Sequence, residues 1–121
     1  MKSVSSSIIV LVVSSLSVQY IQSYKLTLEN NTKFPALMSA HIIKGGPGGF
    51  CSGKKEEQVE PHTKKELDMG VCSINTIEAL VCEEGGYYCK KKATPWSGAQ
   101  GMSNVTFTVK PTDNGYKVIK K

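Results

Sequence analysis

From Tyr24 onward the apolar residues recur at every second position, and this period decides what the chain can build. Tyr24, Leu26 and Leu28 fall on one side of an extended segment and Lys25, Thr27 and Glu29 on the other, the pattern of a strand buried on one face. A polar turn, Asn30-Asn31-Thr32-Lys33, precedes a second run: Phe34, Ala36, Met38, Ala40 and Ile42 share a side, and Leu37, His41 and Ile43 lie on the reverse. Leu67, Met69 and Val71 alternate with Glu66 and Asp68, and Val105, Phe107 and Val109 alternate with Asn104, Thr106 and Thr108. Asp113-Asn114-Gly115 then returns the chain into Tyr116 and Val118. Asn-Gly between alternating runs is a strong hairpin signal, because both residues accept the positive φ that a two-residue turn demands.

Breakers separate these runs. Lys44-Gly45-Gly46-Pro47-Gly48-Gly49 offers no side chains to pack and lacks one ladder donor, so it is a loop. Gln58-Val59-Glu60 reads as a short edge strand ended by Pro61, and Glu83-Glu84-Gly85-Gly86 as a turn into Tyr87-Tyr88-Cys89-Lys90. Cys72 to Cys82 fits two periods, since Ile74, Ile77 and Val81 also make a helical stripe; β-branched content favours a strand. The fold class expected is all-β, a small antiparallel sandwich or barrel-like domain of about seven strands.

Four cysteines, Cys51, Cys72, Cys82 and Cys89, lie in this region. An even number in a short exported chain reads as disulfides, and zinc is disfavoured because no CxxC pair occurs and His41 and His62 are not spaced as partners. Pairing Cys72 with Cys82 fails on geometry: the ends of that segment lie roughly 33 Å apart as a strand and roughly 15 Å apart as a helix, against a limit of about 7 Å between bridged Cα atoms. Of the two remaining connectivities, Cys51 with Cys72 and Cys82 with Cys89 is preferred, the second pair closing across the Glu-Glu-Gly-Gly turn.

The exported reading comes from the N-terminus. Lys2, a serine run, the apolar block Ile8 to Val13 and the small residues Ser14 to Ser17 follow the order of a secretory signal peptide. The block is shorter than the roughly 20 residues that span a bilayer. Cleavage after Ser17 or Ser23 is expected, dividing the chain into a signal segment at 1–23 and a single secreted domain at 24–121, with no transmembrane anchor after cleavage. The expected location is extracellular, or periplasmic in a bacterial host.

The formal net charge is +5, carried entirely by lysine on the basic side. A nucleic-acid reader without one guanidinium is not expected, since arginine supplies bidentate recognition of phosphate and guanine. No catalytic site is expected either. Gly48 to Lys54 matches a phosphate loop through its lysine, but Lys55 stands where Ser or Thr would hold magnesium, and Pro61 follows too soon for a helix. His41 and His62 have no GxSxG-type serine beside them, and the carboxylate pairs Glu56-Glu57 and Glu83-Glu84 read as solvated charge. Neither a cofactor nor a metal is expected.

The segment Tyr87-Tyr88-Cys89-Lys90-Lys91-Lys92 through Trp96 gathers two tyrosines, the lone tryptophan and three lysines. Tyr and Trp anchor recognition patches and lysines steer anionic partners, so Tyr87, Tyr88, Lys90, Lys91, Lys92 and Trp96 are the candidate binding residues. The competing view puts Tyr88 and Trp96 in the core and the lysines on a protective edge. Two glycosylation sequons begin at Asn30 and Asn104, one at a turn and one opening a strand, both expected to be exposed. The function expected is a monomeric, non-enzymatic binding protein that recognises an extracellular protein, glycan or anionic surface through its loops. A membrane-acting toxin or antimicrobial protein and a protease inhibitor are the alternatives.

Overall fold

The computed structural model describes residues 23–85 and 88–121. The signal segment through Gln22, and Tyr87 of the candidate patch, lie outside them. Nine strands run in order: β1 Tyr24–Asn30, β2 Ala36–Ile42, β3 Lys54–Val59, β4 Thr63–Gly70, β5 Ile74–Val81, β6 Lys91–Lys92, β7 Trp96–Gln100, β8 Val105–Thr112 and β9 Gly115–Lys120. They form two sheets, one ordered β4-β1-β8-β9, the other β3-β2-β5 with β6 and β7 following one another along the outer side of β5. The all-β sandwich expected from the alternation is present, with both preferred disulfides, Cys51–Cys72 and Cys82–Cys89. One pairing departs from an antiparallel scheme: β1 and β8 run parallel, Leu26 opposite Val105.

The period-two faces meet between the sheets. Tyr24, Leu26 and Leu28 of β1 and Phe107 and Val109 of β8 pack toward Met38 and Ala40 of β2 and Ile77 and Val81 of β5, all buried in one cluster. The mixed signal at Cys72 to Cys82 has a local cause. Ile42 pairs with Ile74 while His41 pairs with Thr76, so Asn75 is an extra residue, a β-bulge. The bulge shifts the phase by one, and Ile74 and Ile77 both face inward although three positions apart.

β3 extends the edge strand expected at Gln58-Val59-Glu60 back to Lys54, and β7 arises where the alternation is silent. β3, Lys-Lys-Glu-Glu-Gln-Val, pairs along the whole of β2 and buries only Val59. Charge on an edge strand discourages pairing with another chain. Its side chains also reach the neighbouring edge of the first sheet, where Lys65 Nζ lies 3.4 Å from Glu57 and Lys55 Nζ donates to Asp68 O at 2.9 Å. On the opposite side, Thr94 N donates to Tyr116 O at 2.9 Å and Val118 N to Thr94 O at 2.8 Å, tying the β6–β7 segment to β9.

Apart from 93–95, which runs along the edge of β5 between β6 and β7, strand directions assign the described connections to one of two ends. At the entry end, where β1 begins, lie residues 43–53, 71–73 and 101–104; at the far end lie 31–35, 60–62, 82–85, 88–90 and 113–114. Asn30 closes β1 at the far end and is fully buried, contrary to its expected exposure at a turn. Its Nδ2 donates to Phe34 O at 2.7 Å and Val59 O at 2.9 Å, and its Oδ1 accepts from Thr32 N at 3.0 Å and Thr32 Oγ1 at 2.8 Å. A glycan on that nitrogen is incompatible with the fold. Asn104 is exposed, and its Oδ1 accepts from Lys25 N at 2.8 Å.

Candidate functional site

The lysine-rich candidate segment divides between surface and core. Tyr88 is 67% exposed, with Lys90 Nζ 5.6 Å from its ring centroid. Lys91 and Lys92 pair with Val81 and Leu80 as β6 and point to solvent. Trp96 turns away from them. Its ring centroid stands 4.5 Å from that of Phe107, and a Cβ on Gly98 would come within 2.9 Å of its Cζ2, so the indole lies across Gly98 against the core. The Cys82–Cys89 bridge closes the Tyr88 loop. Beside it Tyr116 Oη donates to Glu83 Oε2 at 2.8 Å, and burial, reinforced by that carboxylate, pushes the phenol up to about 12.

The groups weighed for catalysis are occupied elsewhere. His41 Nε2 lies 2.8 Å from Glu78 Oε1 on the outer face of the second sheet, and Ser39 Oγ donates to Glu56 Oε2 at 3.1 Å rather than to an imidazole. His62 holds a turn at the far end with φ of 56°. All four cysteines are bridged. The outer face of the first sheet carries a polar groove walled by Lys25, Lys64, Glu66 and Lys120, where Glu29 is held below the usual carboxylate range by Thr108 and Lys121.

What the period-two reading missed is at the entry end. Ile43, Phe50 and Met102 are 40%, 63% and 50% exposed, and with Tyr88 they are the large hydrophobic residues left open among the described residues. All four stand in loops rather than on sheet faces. Their loops are held firmly. Gly45 and Cys51 exchange backbone hydrogen bonds of 2.9 and 2.8 Å, Ile43 N donates to Ser73 O at 2.8 Å, and the Cys51–Cys72 bridge joins the two connections. A sequence signal existed: Phe50 sits in a glycine-rich loop that alternates with nothing and so has no core-facing phase.

These features define a two-sheet, disulfide-bonded β-sandwich whose open apolar side chains are confined to its ends. No protein-family model matches the chain, and no curated protein matches it in sequence. Solved structures share the fold. The membrane-binding domain of pneumolysin matches 83% of this chain and 96% of its own length, with 13% identity and a TM-score of 0.51. Whole wild-type pneumolysin matches with 11% identity over 82% of this chain and a TM-score of 0.49. The human-specific toxin intermedilysin matches with 11% identity over 84% of this chain and a TM-score of 0.47. In both whole toxins the chain spans 23% of the length. At such identities the likeness is one of fold alone.

Proposed function

We propose that this domain is a secreted, non-catalytic module that attaches to a membrane surface through loops at an end of its sandwich. The observation that carries the reading is the confinement of the exposed large hydrophobic side chains among the described residues, Ile43, Phe50, Tyr88 and Met102, to end loops. Three of the four, Ile43, Phe50 and Met102, share one end, and open apolar side chains grouped at one extremity mark an interaction site, whereas isolated ones scattered over a surface do not. Each such side chain recovers up to roughly 1.5–3 kcal/mol when fully removed from water, so a few of them support reversible interfacial binding. The pneumolysin domain that shares this fold is described as membrane-binding, which agrees with the reading. Co-sedimentation of the oxidised protein with lipid vesicles tests it. Binding that saturates with lipid is expected; protein that stays in the supernatant at every lipid concentration overturns it. Release of vesicle contents would move the reading from attachment to a membrane-damaging toxin.

A second reading is favoured by Tyr88, which stands open on a disulfide-closed loop beside Lys90. That arrangement suits recognition of a protein or glycan by a rigid aromatic anchor. Extracellular partners recovered by the wild type and lost with Tyr88→Ser and Lys90→Ser would support it.

A further inference from the structure

We infer that the entry end, not the Tyr88 end, is the face that meets lipid, and that the lipid it meets is anionic. The inference rests on the membrane reading above and goes on to name the face and the lipid class. Three connections distant in sequence converge at the entry end, and two of them, 43–53 and 101–104, carry Ile43, Phe50 and Met102. The far end shows one open large apolar side chain among the described residues, Tyr88.

Charge separates the two ends more sharply. Residues 43–53, 71–73 and 101–104 contain Lys44 and not one carboxylate, and β3 opens beside them with Lys54 and Lys55. Of the acids beside these loops, Glu56 is matched by Lys54 at 3.2 Å, and Asp68 is matched by Lys25 at 3.7 Å and takes hydrogen bonds from Ser23 Oγ at 2.7 Å and Gly70 N at 2.9 Å. The far-end loops expose four carboxylates, Glu60, Glu83, Glu84 and Asp113, against two lysines, Lys33 and Lys90. A negatively charged bilayer attracts lysines within a Debye length and repels carboxylates over the same distance. Apolar tips flanked by lysine, with acid excluded, complement that surface, and the far end opposes it.

The entry-end loops are also preorganised, so little ordering entropy is lost on docking. Disulfide, hairpin bonds and the Ile43–Ser73 bond fix the segment that carries Phe50. Gly46 makes this possible: its φ is 81°, and a Cβ there would stand 2.5 Å from Cys51 Sγ, so only glycine lets the bridge lie beneath the loop.

The test uses the full chain, expressed through a secretory pathway and purified oxidised, with vesicles of phosphatidylcholine alone or containing phosphatidylserine. Every variant carries the same N-terminal segment, so differences among them read the loops. Wild type should bind the phosphatidylserine vesicles more tightly, and added salt should weaken that binding. Phe50→Ser with Met102→Ser should weaken it about tenfold or more, and Tyr88→Ser less than about twofold. Lys44→Glu should weaken it about threefold or more on phosphatidylserine vesicles only. The altered side chains are open to solvent, and circular dichroism and the oxidised mass verify each fold. If Tyr88→Ser abolishes binding while the Phe50 and Met102 pair does not, the entry-end assignment falls and the membrane reading stands. Equal binding to both vesicles removes the anionic-lipid assignment. Failure of wild type to bind either vesicle overturns the reading and the inference together.

Discussion

Replacing Asn30 tests whether one buried carboxamide holds the far end of the sandwich together. Its nitrogen serves two carbonyls from different segments, Phe34 O and Val59 O, and its oxygen serves Thr32. Asn30→Ala leaves Val59 O and Thr32 N short of a partner at a fully buried position, while Phe34 O keeps the Thr32 hydroxyl as a donor at 2.9 Å. At about 1 kcal/mol each, the low end for an orphaned buried group, the loss is about 2 kcal/mol. Asn30→Asp keeps the shape and the acceptor but turns an oxygen toward both carbonyls and buries a charge. That should bring the loss to about 5 kcal/mol at neutral pH, comparable with the whole stability of a small domain. Burial and the facing carbonyls raise the new carboxyl's pKa above its unfolded value of about 3.9, so the penalty of Asn30→Asp is greatest at neutral pH and shrinks as pH falls and the folded form takes up its proton. Urea unfolding without reductant measures this; at a slope of about 1.5 kcal/mol per molar, the Ala variant should lose about 1.3 M in midpoint with the slope unchanged. An Ala variant within about 1 kcal/mol of wild type, or an Asp variant that matches it at every pH, would refute the reasoning.

Two further outcomes follow from the same structure. Removing either disulfide as a paired Cys→Ala change should destabilise the domain by about 2.5–3 kcal/mol, lowering the melting midpoint by about 10–20 °C in non-reducing thermal scans. The acid limb should depend on Glu29 and Asp68, held below the usual carboxylate range chiefly by the Thr108 and Ser23 hydroxyls respectively, then by Lys121 and the Gly70 N–H. Their contribution is present above the unfolded carboxylate values of about 4 and is lost as pH falls through the lower folded values, so Glu29→Gln should flatten the fall in unfolding midpoint measured from about pH 6 down to pH 3.

Much of the scaffold was legible before any tertiary contact. The alternation in β1, β2 and β8 specified which side chains enter the core, because a pleated strand gives each residue one of two faces and nothing else. The Asn114-Gly115 hairpin and both disulfides were readable for equally local reasons, turn stereochemistry and the short reach of a bridge. At the candidate patch the sequence brought Tyr88 and Lys90 together, but it could not show that Trp96 folds back over Gly98 onto Phe107.

Tertiary structure decided what depends on a neighbouring strand. β3, nearly all charge, and β7, Trp-Ser-Gly-Ala-Gln, are strands because β2 and β5 offer them hydrogen-bonding edges. The parallel β1–β8 pair joins segments far apart in the chain, and the bulge at Asn75 exists only in register with β2. Asn30 was placed at a turn by its sequence and buried by the carbonyls it serves. The entry end is the extreme case. Ile43 and Phe50 join Met102 in one apolar extremity only after strand direction brings two separate loops to the same end. Period two assigns a residue to a face of its own strand, whereas the end of the sandwich at which a loop emerges depends on the path of the whole chain.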